Sequence, residues 1–174
     1  RFDEAVDGLS ATLGFQRGIG GISGATRADH VDSLAQYSDN RFAIAGHTNT
    51  NSPYADDAFI ALVSDVGEFV IKRKISSTNK SEKIVDMVIR APYIYALMEI
   101  APNASSSETT FAISKMEVES FGITSIWTKE YTQIGNWFKN ISFDINEFDE
   151  FVISAGLYDK NTSQVNAIWL AKYD

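Results

Sequence analysis

The side chains that could carry chemistry are few. His30 and His47 are the only imidazoles in the 174 residues. They fall in unrelated positions, one ahead of a first strand and one after the second. They also lack the i, i+4 helical spacing of a zinc pair, so they read as solvated or internally satisfied groups. There is no cysteine, which excludes disulfide scaffolds, thiolate metal sites and thiol nucleophiles together. Serine is abundant, but no G-x-S-x-G places one on a nucleophile elbow. Carboxylates cluster at Asp144, Glu147, Asp149 and Glu150 and again at Asp56 and Asp57. Paired carboxylates are what glycoside hydrolysis needs, yet turns between strands ordinarily carry acidic residues. The SDVGE stretch at 64–68 lacks the ligand spacing of a calcium loop. Trp127, Trp137 and Trp169 could stack on sugars, but alternation puts Trp127 and Trp169 in strands, where core burial is the default. The expectation is a chain with no catalytic, cofactor or metal site, and not an enzyme.

One covalent chemistry has a sequence signature. Asn79, Asn103, Asn140 and Asn161 each begin an N-x-S/T sequon without proline in the middle. Asn103 and Asn161 fall between the second and third strands of their units, Asn79 lies between units, and Asn140 begins a strand. Glycans at these positions would make the protein extracellular or cell-surface.

The elements that must position these residues are strands. Eleven Phe, seven Tyr and three Trp among many Val, Ile and Thr, with only three Pro, favour β structure. A formal charge of −8 repels phosphate backbones and anionic lipid, so nucleic acid is not an expected partner. No segment reaches the about 18 consecutive apolar residues of a spanning helix, and membrane insertion is not expected. With Arg1 in first place, a processed or partial product is expected.

Four segments recur in fixed order. An apolar residue, any residue and a base recur at 56-residue steps as FQR (15–17), IKR (71–73) and WTK (127–129). DAFIALVSD at 57–65 aligns with TFAISKMEV at 110–118 and NAIWLAKYD at 166–174. FAIAG at 42–46 aligns with FVISAG at 151–156, with YALM at 95–98 as the degenerate copy. VDSL at 31–34 aligns with VDMV at 85–88 and ISFD at 141–144. Turn signals bound each segment, giving four short antiparallel strands per unit, the layout of a propeller blade. The organisation expected is an N-terminal arm (1–10) and one β-propeller-like repeat domain (11–174). Its units run over about 31–75, 83–131 and 138–174, with strand 11–18 added.

The order of an aspartate strand, F/Y-x-I-A-G, D-A-F-I-A-L and apolar-x-K/R resembles the SBBP-type repeats of seven-bladed β-propellers in secreted and cell-surface proteins. The resemblance is closest over 31–75. It implies blade-like sheets and an extracellular setting, and no reaction.

ATLGFQRG at 11–18 matches the last strand of a unit although it precedes the first unit, and the third unit ends before its own last strand. Unless the sequence is an excerpt of a longer propeller, that strand is expected to complete the third unit, either in its own chain or in a neighbour, with Leu13, Phe15 and Arg17 as its working residues. Donation to a neighbour is head-to-tail and makes the protein its own partner, in a homo-oligomer or polymer. Closure within the chain would instead give a binding module, lectin-like or protein-interacting, that works through its loops.

Overall fold

The computed structural model describes residues 29–49, 56–77, 80–102, 109–131, 136–159, 162 and 164–173, and among these there is no helix. The strands are β1 (Asp29–Ser38), β2 (Arg41–Asn49), β3 (Asp56–Ser64), β4 (Phe69–Ile75), β5 (Ser81–Arg90), β6 (Tyr93–Ala101), β7 (Thr110–Glu119), β8 (Gly122–Tyr131), β9 (Asn136–Ile145), β10 (Phe151–Asp159) and β11 (Val165–Tyr173). They form three antiparallel sheets of neighbouring strands, ordered β1-β2-β3-β4, β5-β6-β7-β8 and β11-β10-β9. The all-β expectation holds in this form.

Local sequence explains the strands and their turns. In β3 the run AFIALV is buried on both faces, the pattern of a strand covered from two sides. β1 alternates instead, with Leu34 outward and Ala35 and Tyr37 packed on the core. Asp39 and Asn40 make the two-residue link between β1 and β2. Between β3 and β4, Gly67 takes a φ of 79°, which a side chain would resist. Between β9 and β10 the Asn146 carboxamide oxygen accepts the backbone N–H of Phe148 and of Glu150 at 2.9 and 3.1 Å, an Asx turn that admits Asp149 at φ 62°.

The first strand of every sheet carries a bulge at a matching place: between Val31 and Ser33, between Ile84 and Asp86, and at Asn140–Ile141 opposite Ala155. A bulge bends and twists its strand, so the three sheets share one deformation. At the first of them the chain is so close that a Cβ on Gly46 would lie 1.9 Å from the His30 carbonyl oxygen. The corresponding Gly156 is looser, its nearest neighbours being the Tyr158 ring at 3.1 Å and the Lys139 carbonyl at 3.4 Å.

The second sheet is sandwiched. Ile94, Ala96 and Met98 face the first sheet and meet Ala43, Ala45, Ile60 and Leu62. Tyr95, Leu97, Phe111 and Ile113 face the third sheet and meet Phe138, Phe143, Phe151 and Ile153. The second junction is aromatic, with Phe111 edge-on to Phe138 at 4.8 Å and Phe151 edge-on to Tyr95 and Trp127 at 6.0 and 5.8 Å. Ile60, Ile113 and Trp169 occupy the same place in the repeat. In the first two sheets this face looks forward to the next sheet. In the third, Trp169 looks back at the second, 5.6 Å from Phe111. The junctions therefore differ in kind, and the outward faces of the first and third sheets are the same face of the repeat.

Gly46→Ala is expected to lower stability by about 1–3 kcal/mol through overpacking against backbone, and Gly156→Ala by less, because a ring edge can yield. Urea melts of the two variants check this ranking; equal losses would show that the close approach at Gly46 relaxes freely.

Candidate functional site

Two places on the described residues have the makings of a site. One is a polar cluster near the starts of β1, β5 and β9; the other is the edge of β11.

The register of β1 and β2 sets His30 directly across from His47, and their rings stack at 4.6 Å with 9° between planes. The sequence expectation that the two histidines are unrelated is thus corrected: an antiparallel hairpin brings its distant ends together. Asp32, the extra residue of the β1 bulge, reaches His47 Nδ1 with Oδ2 at 2.7 Å. A carboxylate held on one ring nitrogen fixes the imidazole and its tautomer, the arrangement that orients a base or a binding group. Beside His47, Thr48 buries a hydroxyl with no hydrogen-bond partner among the described residues.

Glu99 on β6 completes the cluster from the second sheet. Burial pushes its carboxyl above the ordinary value; Lys83, opposite it on β5, and Lys139 on β9 pull it back, while Asp32 pushes it up. All three sheets thus contribute charge to one neighbourhood. Among the described residues no group of three or more His, Asp or Glu side chains is placed to hold a metal ion.

Five of the six carboxylates singled out from sequence are tied into the framework. Asp57 pairs with Lys74 in its own sheet. Asp56 joins the first sheet to the second through Lys83 at 3.3 Å and the Ser81 hydroxyl, which donates at 3.3 Å. Asp149 meets Lys115 at 3.0 Å, and hydrogen bonds from Lys115 and Tyr95 hold its carboxyl below the usual range. Lys115 also lies 4.4 Å over the Tyr93 ring, so the pair clamps the third sheet to the second. Glu150 pairs with Lys172 at 2.9 Å and accepts from Asn146. Asp144 caps the backbone N–H of its neighbour Ile145 at 2.8 Å. Trp127 and Trp169 pack on the aromatic core as alternation implied, while the Trp137 side chain lies outside the described residues.

The base of the recurring apolar-x-base triplet has a visible role. Arg73 Nη1 donates to the Ile123 carbonyl of the next sheet at 2.6 Å. Lys129 stands 5.4 Å from the Trp127 ring. Both bases lie on the face that packs toward a neighbouring sheet.

Edges distinguish the third sheet. The outer strand of the first sheet, FVIKRKI, carries three cations, and that of the second carries Lys129 and Glu130. Such charges discourage further pairing. β11 is uncharged from Val165 to Ala171, and Ile168 and Leu170 are 85% and 69% exposed. Among the described residues no strand pairs with its outer side, where β4 and β8 lie in the other sheets.

Of the residues predicted from sequence, Asn140 is exposed in the β9 bulge at φ 51°. Asn79, Asn103, Asn161, Leu13, Phe15 and Arg17 lie outside the described residues. The His30–Asp32–His47 grouping escaped sequence reasoning. The signal available was that His30 and His47 flank a two-residue turn almost symmetrically.

No family model matches the sequence, and no curated protein matches it. Among solved structures, the chain is similar to an exo-beta-1,3-galactanase from Clostridium thermocellum, at 8% identity and a TM-score of 0.46. The match covers 78% of this chain and 35% of that one, so this chain spans about a third of that protein's length. At this level of likeness no chemistry transfers.

Glu99→Gln is expected to raise the melting temperature at neutral pH, because a carboxyl lifted by burial costs stability while it is ionised. The advantage should shrink as pH falls through the raised value and vanish below about 4.3, the ordinary glutamate range, where both states are protonated. Thermal melts across pH test this; a gap that stays constant would assign the effect to packing.

Proposed function

We propose that the protein is an extracellular structural subunit, a β-propeller-like repeat protein rather than an enzyme, that assembles head to tail by donating strand 11–18 to the third sheet of a neighbouring copy. The observation that carries this is the edge of β11: uncharged from Val165 to Ala171, with Ile168 and Leu170 exposed, and without a strand on its outer side among the described residues. Natural sheets protect such edges or use them. The first two sheets of this chain have protected ones.

The turned third sheet favours assembly over closure. A ring of blades repeats one junction, each sheet offering the same face forward. Here the first junction joins unlike faces and the second joins like faces, as Ile60 and Trp169 show. Glycans at Asn79, Asn103, Asn140 and Asn161 fit the same setting, and the exposed Asn140 carboxamide has room for one.

A second reading, a binding module, has its own observation, the convergence of His30, Asp32, His47, Glu99, Lys83 and Lys139 from three sheets. The two part on one deletion. Removing residues 1–20 is expected to convert an oligomer into soluble folded monomers, read by light scattering and circular dichroism. If the intact chain is already monomeric and the deletion unfolds it, the strand closes its own sheet and the subunit proposal is overturned. For the glycans, protein secreted from eukaryotic cells is expected to lose mass on enzymatic deglycosylation, and an unshifted mass spectrum would remove them from the proposal.

A further inference from the structure

The β11 edge also has a defined register. The two complete sheets each show how a last strand meets the third. Ile71 stands opposite Leu62, Lys72 opposite Ala61 and Arg73 opposite Ile60. One sheet on, Trp127 stands opposite Lys115, Thr128 opposite Ser114 and Lys129 opposite Ile113. The two registers are the same once the strands are aligned by sequence. In that alignment Leu62 and Lys115 correspond to Ala171, Ala61 and Ser114 to Leu170, and Ile60 and Ile113 to Trp169.

We infer that β11 is a strand-acceptor site for an extended apolar-x-base segment, and that residues 11–18 occupy it with Phe15 opposite Ala171, Gln16 opposite Leu170 and Arg17 opposite Trp169. This rests on the strand-donation proposal for the identity of the donor, but the register does not depend on whose chain supplies it.

The chemistry of the edge selects this alignment over its neighbours. Phe15 enters on the inward face, beside the aromatic core in which Tyr131 and Tyr173 lie 4.6 Å apart. Arg17 comes to the ring of Trp169, where a guanidinium and an indole attract. Gln16 stays on the solvent side with Leu170. A slip of one residue turns Phe15 and Arg17 out to water and Gln16 into the core. A slip of two keeps the faces but takes Arg17 off the indole and sets it against an alanine, Ala167 or Ala171.

The absence of native cysteine makes the test clean. Gln16→Cys combined with Leu170→Cys puts both thiols on the solvent face, so the packed side is untouched. Directly opposed residues are about 4.5–5.5 Å apart, whereas diagonal ones stand at about 7–8 Å, beyond comfortable disulfide reach. Under mild oxidation of the full-length protein, the 16/170 pair is expected to cross-link about tenfold faster than Gln16→Cys with Ile168→Cys or with Lys172→Cys. Circular dichroism confirms that all three fold. A displaced pair that cross-links as fast, or no cross-link in any folded pair, overturns the register. Non-reducing electrophoresis separates the two proposals. A ladder of multimers supports both, and a compact cross-linked monomer with the same preference for 16/170 supports the register while overturning donation between copies.

Discussion

The structure depends on the burial of the second sheet from both sides. Its β6 strand sends Ile94, Ala96 and Met98 one way and Tyr95 and Leu97 the other, and each set is sealed by a different sheet. Burying the Ile, Leu and Met side chains among them contributes about 1.5–3 kcal/mol apiece, so the two junctions dominate the favourable side of folding. A sheet apolar on both faces cannot stand alone; the third sheet is held by what it covers, and the first also buries Ile44, Phe59, Ala61 and Val63 on its other face. This is the logic of stacked repeats, in which each unit's stability resides largely in its interfaces.

The two junctions achieve this with different materials. Between the first and second sheets the contacts are aliphatic and small, and alanines at 43, 45, 58, 96 and 112 let the backbones come close. Polar links then fix the position of one sheet on the other: Asp56 to Lys83 and Ser81, and Arg73 to the Ile123 carbonyl. Between the second and third sheets rings replace methyl groups, and Arg90 reaches the Ile145 carbonyl while Lys115 clamps Asp149. The ring contacts tolerate a different orientation, and the third sheet is indeed turned. Its outward face is left apolar at Val152, Ile168 and Leu170. The openness of that sheet is therefore a consequence of how the core is divided.

Much of the carboxylate content that looked like potential chemistry has a framework role. Asp56, Asp57, Asp149 and Glu150 are each neutralised by a lysine close by. Glu99 is the exception in character: its burial opposes its charge, and lysines from two other strands offset only part of that. Together with the stacked histidines it makes a polar cluster to which all three sheets contribute charge.

The strands were legible because their information is local. Period-two alternation in β1, the continuous apolar run of β3, and turn residues at 39–40 and 146–149 each act over a few residues, and so did the four segments that recur in order. The candidate assembly edge was legible in part, since the lack of charge in VNAIWLA at 165–171 beside the three cations of FVIKRKI is a property of sequence. What the chain could not disclose by itself was pairing across distance. His30 meets His47, and Asp32 meets both His47 and the neighbourhood of Glu99, because a hairpin register and a bulge place them there. The direction in which the third sheet turns follows from the fit of Phe111, Phe138 and Trp169, a contest between packings that no single strand encodes. Sequence determined which residues are strands and which of their faces seek cover. Tertiary structure decided which face covers which, because burial is settled by complementarity between surfaces and not by the pattern on either one.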